Sequence, residues 1–174
     1  MPGRYHTALI TLHWLMAVMI IAALVAGTFV LEPVDNADPA KLMSFRMHMG
    51  LGLVIGVLTL ARLLVRARTA HPAPATTGIA IADRLAPLAH WALYALILAM
   101  VGSGVGLSLA SGLGNAVFFG GTMPANFDGI TARAAHGILA TLLTITIGLH
   151  IAAALYHQFV RKDRLMSRMG LGKR

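Results

Sequence analysis

The chain has 174 residues, of which 57% are hydrophobic and only 11% charged; it holds no cysteine, and its mean hydropathy is +0.76. Soluble domains carry about a quarter of their residues as Asp, Glu, Lys and Arg, so a water-soluble globule is excluded, and the length allows one domain. Without cysteine there is no disulfide, no Cys-ligated iron–sulfur cluster, no thiol catalysis and no covalently attached c-type haem.

Four stretches are long enough for a hydrocarbon core, which takes roughly 20 apolar residues per helix. The first covers about residues 9–31. Its apolar run exceeds the roughly 7–15 residues of a cleaved signal peptide and carries His13 near its start, so it is expected to stay as a span. A polar, proline-marked turn follows at residues 32–39, then a second span at about 45–65. Residues 69–77 contain Pro72 and Pro74 and predict an extended loop. The third span covers about 85–109. A glycine-rich connector over 111–129, with Phe118, Phe119, Met123 and Pro124, is expected at the membrane interface, and the fourth span covers about 132–159. Backbone exposed to lipid must satisfy its own hydrogen bonds, so the expected fold is all-α: an integral membrane four-transmembrane-helix bundle, a single domain over 1–174.

The +8 net charge is unevenly placed. Arg4, Arg62, Arg66, Arg68, Arg84, Arg161, Lys162, Arg164, Arg168, Lys173 and Arg174 fall on one side of the membrane, while Lys41, Arg46 and Arg133 fall on the other with Glu32, Asp35, Asp38 and Asp128. The positive-inside rule puts both termini in the cytoplasm. The charge is therefore a topology signal and does not call for nucleic acid.

Histidines carry the chemistry. His13, His48, His90, His136, His150 and His157 lie within or at the ends of spans, where ionisable residues are costly and usually face an interior site. One such residue alone reads as an interhelical hydrogen-bonder; six at regular spacing read otherwise. His136 and His150 are 14 residues apart, which leaves them about 40° apart around a helix and about 21 Å apart along it. That suits axial ligands to two haems stacked across the bilayer, with His157 on the same stripe. Depth then pairs His13 with His150 on the cytoplasmic side and His48 with His136 on the periplasmic side. Facing imidazoles in a bundle core hold cofactors, and imidazole is a haem ligand. Arg62, 14 residues after His48, is placed to meet a propionate of the cytoplasmic-side haem, and Arg133 one on the other side. Gly27, Gly52 and Gly56 would let a macrocycle approach the backbone or let helices pack. A zinc or copper site would gather its ligands at one depth; the arrangement nearest to that is His13, His90 and His150.

Several motifs resemble the bacterial di-haem cytochrome b561 family. They are the stretch from Tyr5 to Leu15 with His13-Trp14, Met47-His48-Met49-Gly50 leading to Ala61-Arg62-Leu63, Leu88-Ala89-His90, Gly120-Gly121-Thr122-Met123-Pro124, and Gly148-Leu149-His150 through Tyr156-His157 to Lys162-Asp163. The resemblance spans essentially the whole chain. It implies two haem b per chain, ligated by His13, His48, His136 and His150, in the bacterial inner membrane. Through the family's small stand-alone members it also implies transfer of electrons from periplasmic superoxide to ubiquinone with release of oxygen. The partners implied are superoxide, the membrane quinone pool and the lipid bilayer, with no protein partner identified. On that footing Lys41, Arg46 and Arg133 are candidates for steering superoxide. His157, His90 and His6 are candidates for quinone contact, with His157 alternatively on a propionate and His90 on a neighbouring helix. The family also contains cytochrome subunits of hydrogenases and formate dehydrogenases. The alternative function is therefore a non-catalytic di-haem relay or anchor between a partner dehydrogenase and quinone. A haem-free membrane protein such as a metal transporter is the alternative from another class.

Overall fold

A computed structural model describes residues 3–76 and 80–172. Thr77, at the end of the expected loop, and Lys173 and Arg174 lie outside the described residues. Helix α1 covers Thr7–Ala26 and runs on through a π-helical turn at Gly27–Leu31. His6 caps it: its Nδ1 accepts from the Ala8 N–H at 3.2 Å. Helix α2 covers Pro39–Arg68 and so begins well before residue 45. Asp38 accepts from the Ala40 N–H at 2.8 Å, and Pro39 sits at a first-turn position where its missing N–H leaves nothing unpaired. Helix α3 covers Ala80–Ser111, with Pro87 inside it.

The glycine-rich connector contains a helix that its composition does not announce, α4 at Leu113–Phe119. Gly112 and Gly120 flank it at φ 73 and φ 74, a left-handed conformation that glycine adopts without strain. Helix α5 covers Thr131–Leu155 and continues through a π-helical turn at Tyr156–Arg161; a 3-10 turn at Leu165–Met169 follows. Among the described residues four helical segments are long and apolar enough to cross a membrane: Thr7–Leu31, Pro39–Arg68, Asp83–Ser111 and Thr131–Arg161.

The interior is thin. Met16, Ile20, Ile55, Ile97 and Leu143 are buried at the centre of the bundle, while Val18, Val57, Leu109 and Leu149 point outward, as an apolar solvent permits. At the end carrying both termini, Trp14 Nε1 donates to the Met169 carbonyl (2.9 Å) and Arg168 Nη1 to the Ala73 carbonyl (2.7 Å). At the opposite end Leu31, Phe45, Leu113 and Val117 form a second cluster, and Asn36 Nδ2 donates to the Pro124 carbonyl (3.0 Å).

Helix α1 packs along α2, α2 along α3, and α3 along α5. Among the described residues α5 has no comparable backbone packing on α1 or on α2. Those two looser gaps are where the histidines meet.

Candidate functional site

His13 on α1 faces His150 on α5 with ring centres 6.1 Å apart and planes at 69°. His48 on α2 faces His136 on α5 at 6.3 Å and 74°. The structure thus brings together both pairs expected from depth, one toward each end of the bundle. Two imidazoles on one metal, with bonds of roughly 2.0–2.1 Å each, put their ring centres about 6 Å apart. Both pairs have that spacing, and both span the gaps in the helix packing. His48 Nδ1 is also buried without a hydrogen-bond partner, a state native interiors rarely leave uncompensated. The residues present therefore fit a flat metal-bearing group held between facing imidazoles.

Glycines line one of these sites. A Cβ at Gly104 would stand 3.2 Å from His136 Cε1, and one at Gly27 would stand 3.5 Å from His48 Cε1. Gly27 therefore belongs to the pair away from the termini, although it lies 14 residues after His13 in sequence. Gly56 packs against Val101 of α3 instead, and Gly52 has nothing within 4 Å.

The alternative arrangement of His13, His90 and His150 does not form a metal site among the described residues. The His90 ring lies 5.4 Å from that of His150 but edge-on at 87°, and its Nδ1 donates to the Ala86 carbonyl at 2.7 Å. Among the described residues no three His, Asp or Glu side chains converge to hold an ion.

The charged candidates are more engaged than the sequence implied. Arg62 Nη1 donates to the Leu9 carbonyl (2.6 Å) and its Nε to the Tyr94 hydroxyl (2.9 Å), so the guanidinium ties α1, α2 and α3 together beside His13. Lys41 is a correction: it is only 6% exposed, its ammonium donates to the Val34 carbonyl, and it lies over the Phe45 ring, so it is no solution-facing charge. Arg46 donates from Nε and Nη2 to the Val117 carbonyl (3.1 and 2.7 Å), anchoring α4. Arg133 pairs with Glu32 at 3.5 Å. It lines an open groove of about 700 Å³ with Phe127, Asp128, Thr131 and Gly137, one turn from His136.

His157 is buried, and its Nδ1 donates to Asp163 Oδ2 at 2.5 Å. Partial burial of Asp163 works to raise its pKa, but the hydrogen bonds from His157 and the Leu165 N–H, with the charges of His157 and Arg161, prevail. They hold the carboxyl below its ordinary value. His6 is committed to the α1 cap, and His71 packs near Tyr5 at 5.9 Å.

Sequence reasoning missed Ser103 and Tyr94. Ser103 Oγ lies 2.9 Å from His136 Nδ1 and donates to the Met100 carbonyl at 2.9 Å. The only signal was a small polar residue inside an apolar span, the Gly102-Ser103-Gly104 run, which reads as helix packing.

A bundle of four membrane-length helices with facing histidine pairs in its interior has the build of a membrane b-type cytochrome. The profile of the prokaryotic cytochrome b561 family matches residues 4–172, and the chain belongs to that family. It is 31% identical over 179 residues to the probable superoxide oxidase CybB of Yersinia pestis, covering 100% of this chain and 99% of the relative. It is 30% identical to cytochrome b562 of Cereibacter sphaeroides over 172 residues (97% and 95% of the two chains). It is 28% identical to cytochrome b561 homolog 2 of Escherichia coli over 177 residues (99% and 93%). Membership makes the chain a haem b protein of membrane electron transport.

Proposed function

We propose that the chain is a superoxide:ubiquinone oxidoreductase of the bacterial inner membrane, a single domain over residues 1–174 with both termini in the cytoplasm. His48 and His136 would hold one haem b, and His13 and His150 a second. When bound, haem would supply one-electron transfer. The observation that carries this reading is the pair of ring separations, 6.1 and 6.3 Å, at opposite ends of one helix. The relative named as a probable superoxide oxidase, alike over its full length, supports the choice of donor.

The balance is simple. Two superoxide ions each give up one electron and leave as oxygen, and ubiquinone takes two electrons and two protons to become quinol. Arg133, which lines the open groove and lies one turn before His136 on α5, and Arg46 are the cations that draw the anion in; Lys41 is buried against the Val34 carbonyl. The guanidinium of Arg133 keeps part of its field because Glu32 is exposed and solvent screens the pair. At the other end, His90 is exposed beside His150, and the His157–Asp163 couple offers a held proton. These residues are suited to orient a quinone headgroup and protonate it.

A reduced-minus-oxidised spectrum of purified protein, with haem b counted per chain and superoxide added as sole reductant, tests the reading. Two low-spin haems that superoxide reduces are expected. Haem without any response to superoxide would leave the relay function in its place, and colourless protein would end the haem reading.

A further inference from the structure

We propose that Ser103 is a positioning residue for His136: it fixes which ring nitrogen faces the shared site and strengthens that nitrogen as a ligand. The inference rests on the reading that His48 and His136 hold a haem.

Ser103 has one hydroxyl proton, and the Oγ donates it to the Met100 carbonyl. Its lone pair is what remains for His136 Nδ1, 2.9 Å away. The ring nitrogen must then carry the hydrogen and donate. Nε2 is left with the free lone pair. A metal-bound histidine that donates its other N–H to a fixed acceptor keeps its orientation and gains basicity. Gly104 completes the arrangement: with no side chain there, the ring comes within 3.2 Å of where a Cβ would stand. His48, across the gap, has no such support, since its Nδ1 is buried without a partner. The strengthening of this ligand pair thus comes from α3 alone, through His136.

Greater ligand basicity favours the oxidised iron and lowers its potential. A serine that merely bonds back onto its own helix is common in membrane spans, and its removal would change stability without touching a potential. The two roles therefore separate in one experiment. Ser103→Ala and Ser103→Thr are made in the full-length protein, haem is counted per chain, and each haem is titrated potentiometrically. The expected result is two haems in Ser103→Ala, with one midpoint moved to more positive potential, the other unchanged, and the first restored in Ser103→Thr. Loss of one haem in Ser103→Ala with retention in Ser103→Thr supports the positioning role equally. Unchanged potentials with two haems, or loss of one haem in both variants, overturn the role of Ser103. Absence of haem from the parent protein overturns the underlying reading instead.

Discussion

Gly104 and Gly27 give a paired test of how the site between α2 and α5 is built. Alanine at 104 places a Cβ 3.2 Å from His136 Cε1 and 3.6 Å from its Nδ1. The ring cannot swing clear, because Nδ1 is tied to Ser103. Overpacking of this kind costs about 1–3 kcal/mol. Alanine in place of glycine in a helix returns roughly 0.5–1 kcal/mol. The net is about 0–2.5 kcal/mol against the geometry that binds haem, or up to about a 70-fold loss of affinity at that site. At Gly27 the corresponding Cβ stands 3.5 Å from His48 Cε1, an ordinary contact, so only the helix gain remains. Gly27→Ala is therefore expected to be neutral or slightly stabilising. The assay is haem retained per chain under graded extraction, with the His13–His150 site as internal control. If Gly27→Ala empties the site and Gly104→Ala does not, the account of this site is wrong.

Other perturbations follow from the same contacts. Arg62→Met removes two hydrogen bonds from a charged donor and should destabilise the fold by about 3 kcal/mol; an unchanged thermal midpoint, followed at the haem band, would contradict that. Glu32→Gln unmasks Arg133 and should raise the rate with superoxide about two-fold at low salt, whereas Arg133→Gln should lower it. Rates that ignore both changes and ionic strength would remove electrostatic steering. Asp163 has a lowered folded-state pKa, so its contribution to stability is present above its ordinary value of 3.8 and is lost as pH falls through the lowered one. Thermal melts should weaken in that acid window in the parent protein and show less of that loss in Asp163→Asn.

The spans were legible because apolar length is a strong signal, and the histidine pairs because a 14-residue interval nearly repeats the helical turn. Span ends were harder. The start of α2 depends on Asp38 and Pro39, polar and breaker residues that hydropathy assigns to a turn although together they form a cap. Lys41, which sequence alone presents as a free cation, is buried against the Val34 carbonyl and the Phe45 ring, a carbonyl in the turn and a ring one turn along that no charge count reveals. Helix α4 was hidden because Gly112 and Gly120, its two ends, read as loop. Arg62 was expected to meet a haem propionate; the partners it has in the structure, Leu9 and Tyr94, come from two other helices, and no local pattern announces them.

These surroundings also give the two histidine pairs different electrostatics, with a consequence for the direction of electron flow. The Arg62 charge acts on both His13 and His150, and the groups it donates to, the Leu9 carbonyl and the Tyr94 hydroxyl, are neutral. In a low-dielectric interior such a cation stabilises an added electron nearby. At the other pair Arg133 has Glu32 beside it, and Ser103, in the role proposed above, would add electron density to His136. Both differences favour the electron at the His13–His150 end. That is downhill from the side proposed to meet superoxide toward the side proposed to meet quinone. Arg62→Gln removes one of the two biases, and Ser103→Ala removes the other. Each should narrow the gap between the two midpoint potentials, the first by lowering the upper value and the second by raising the lower one. A gap that widens in either variant would mean that the flow is set elsewhere in the bundle.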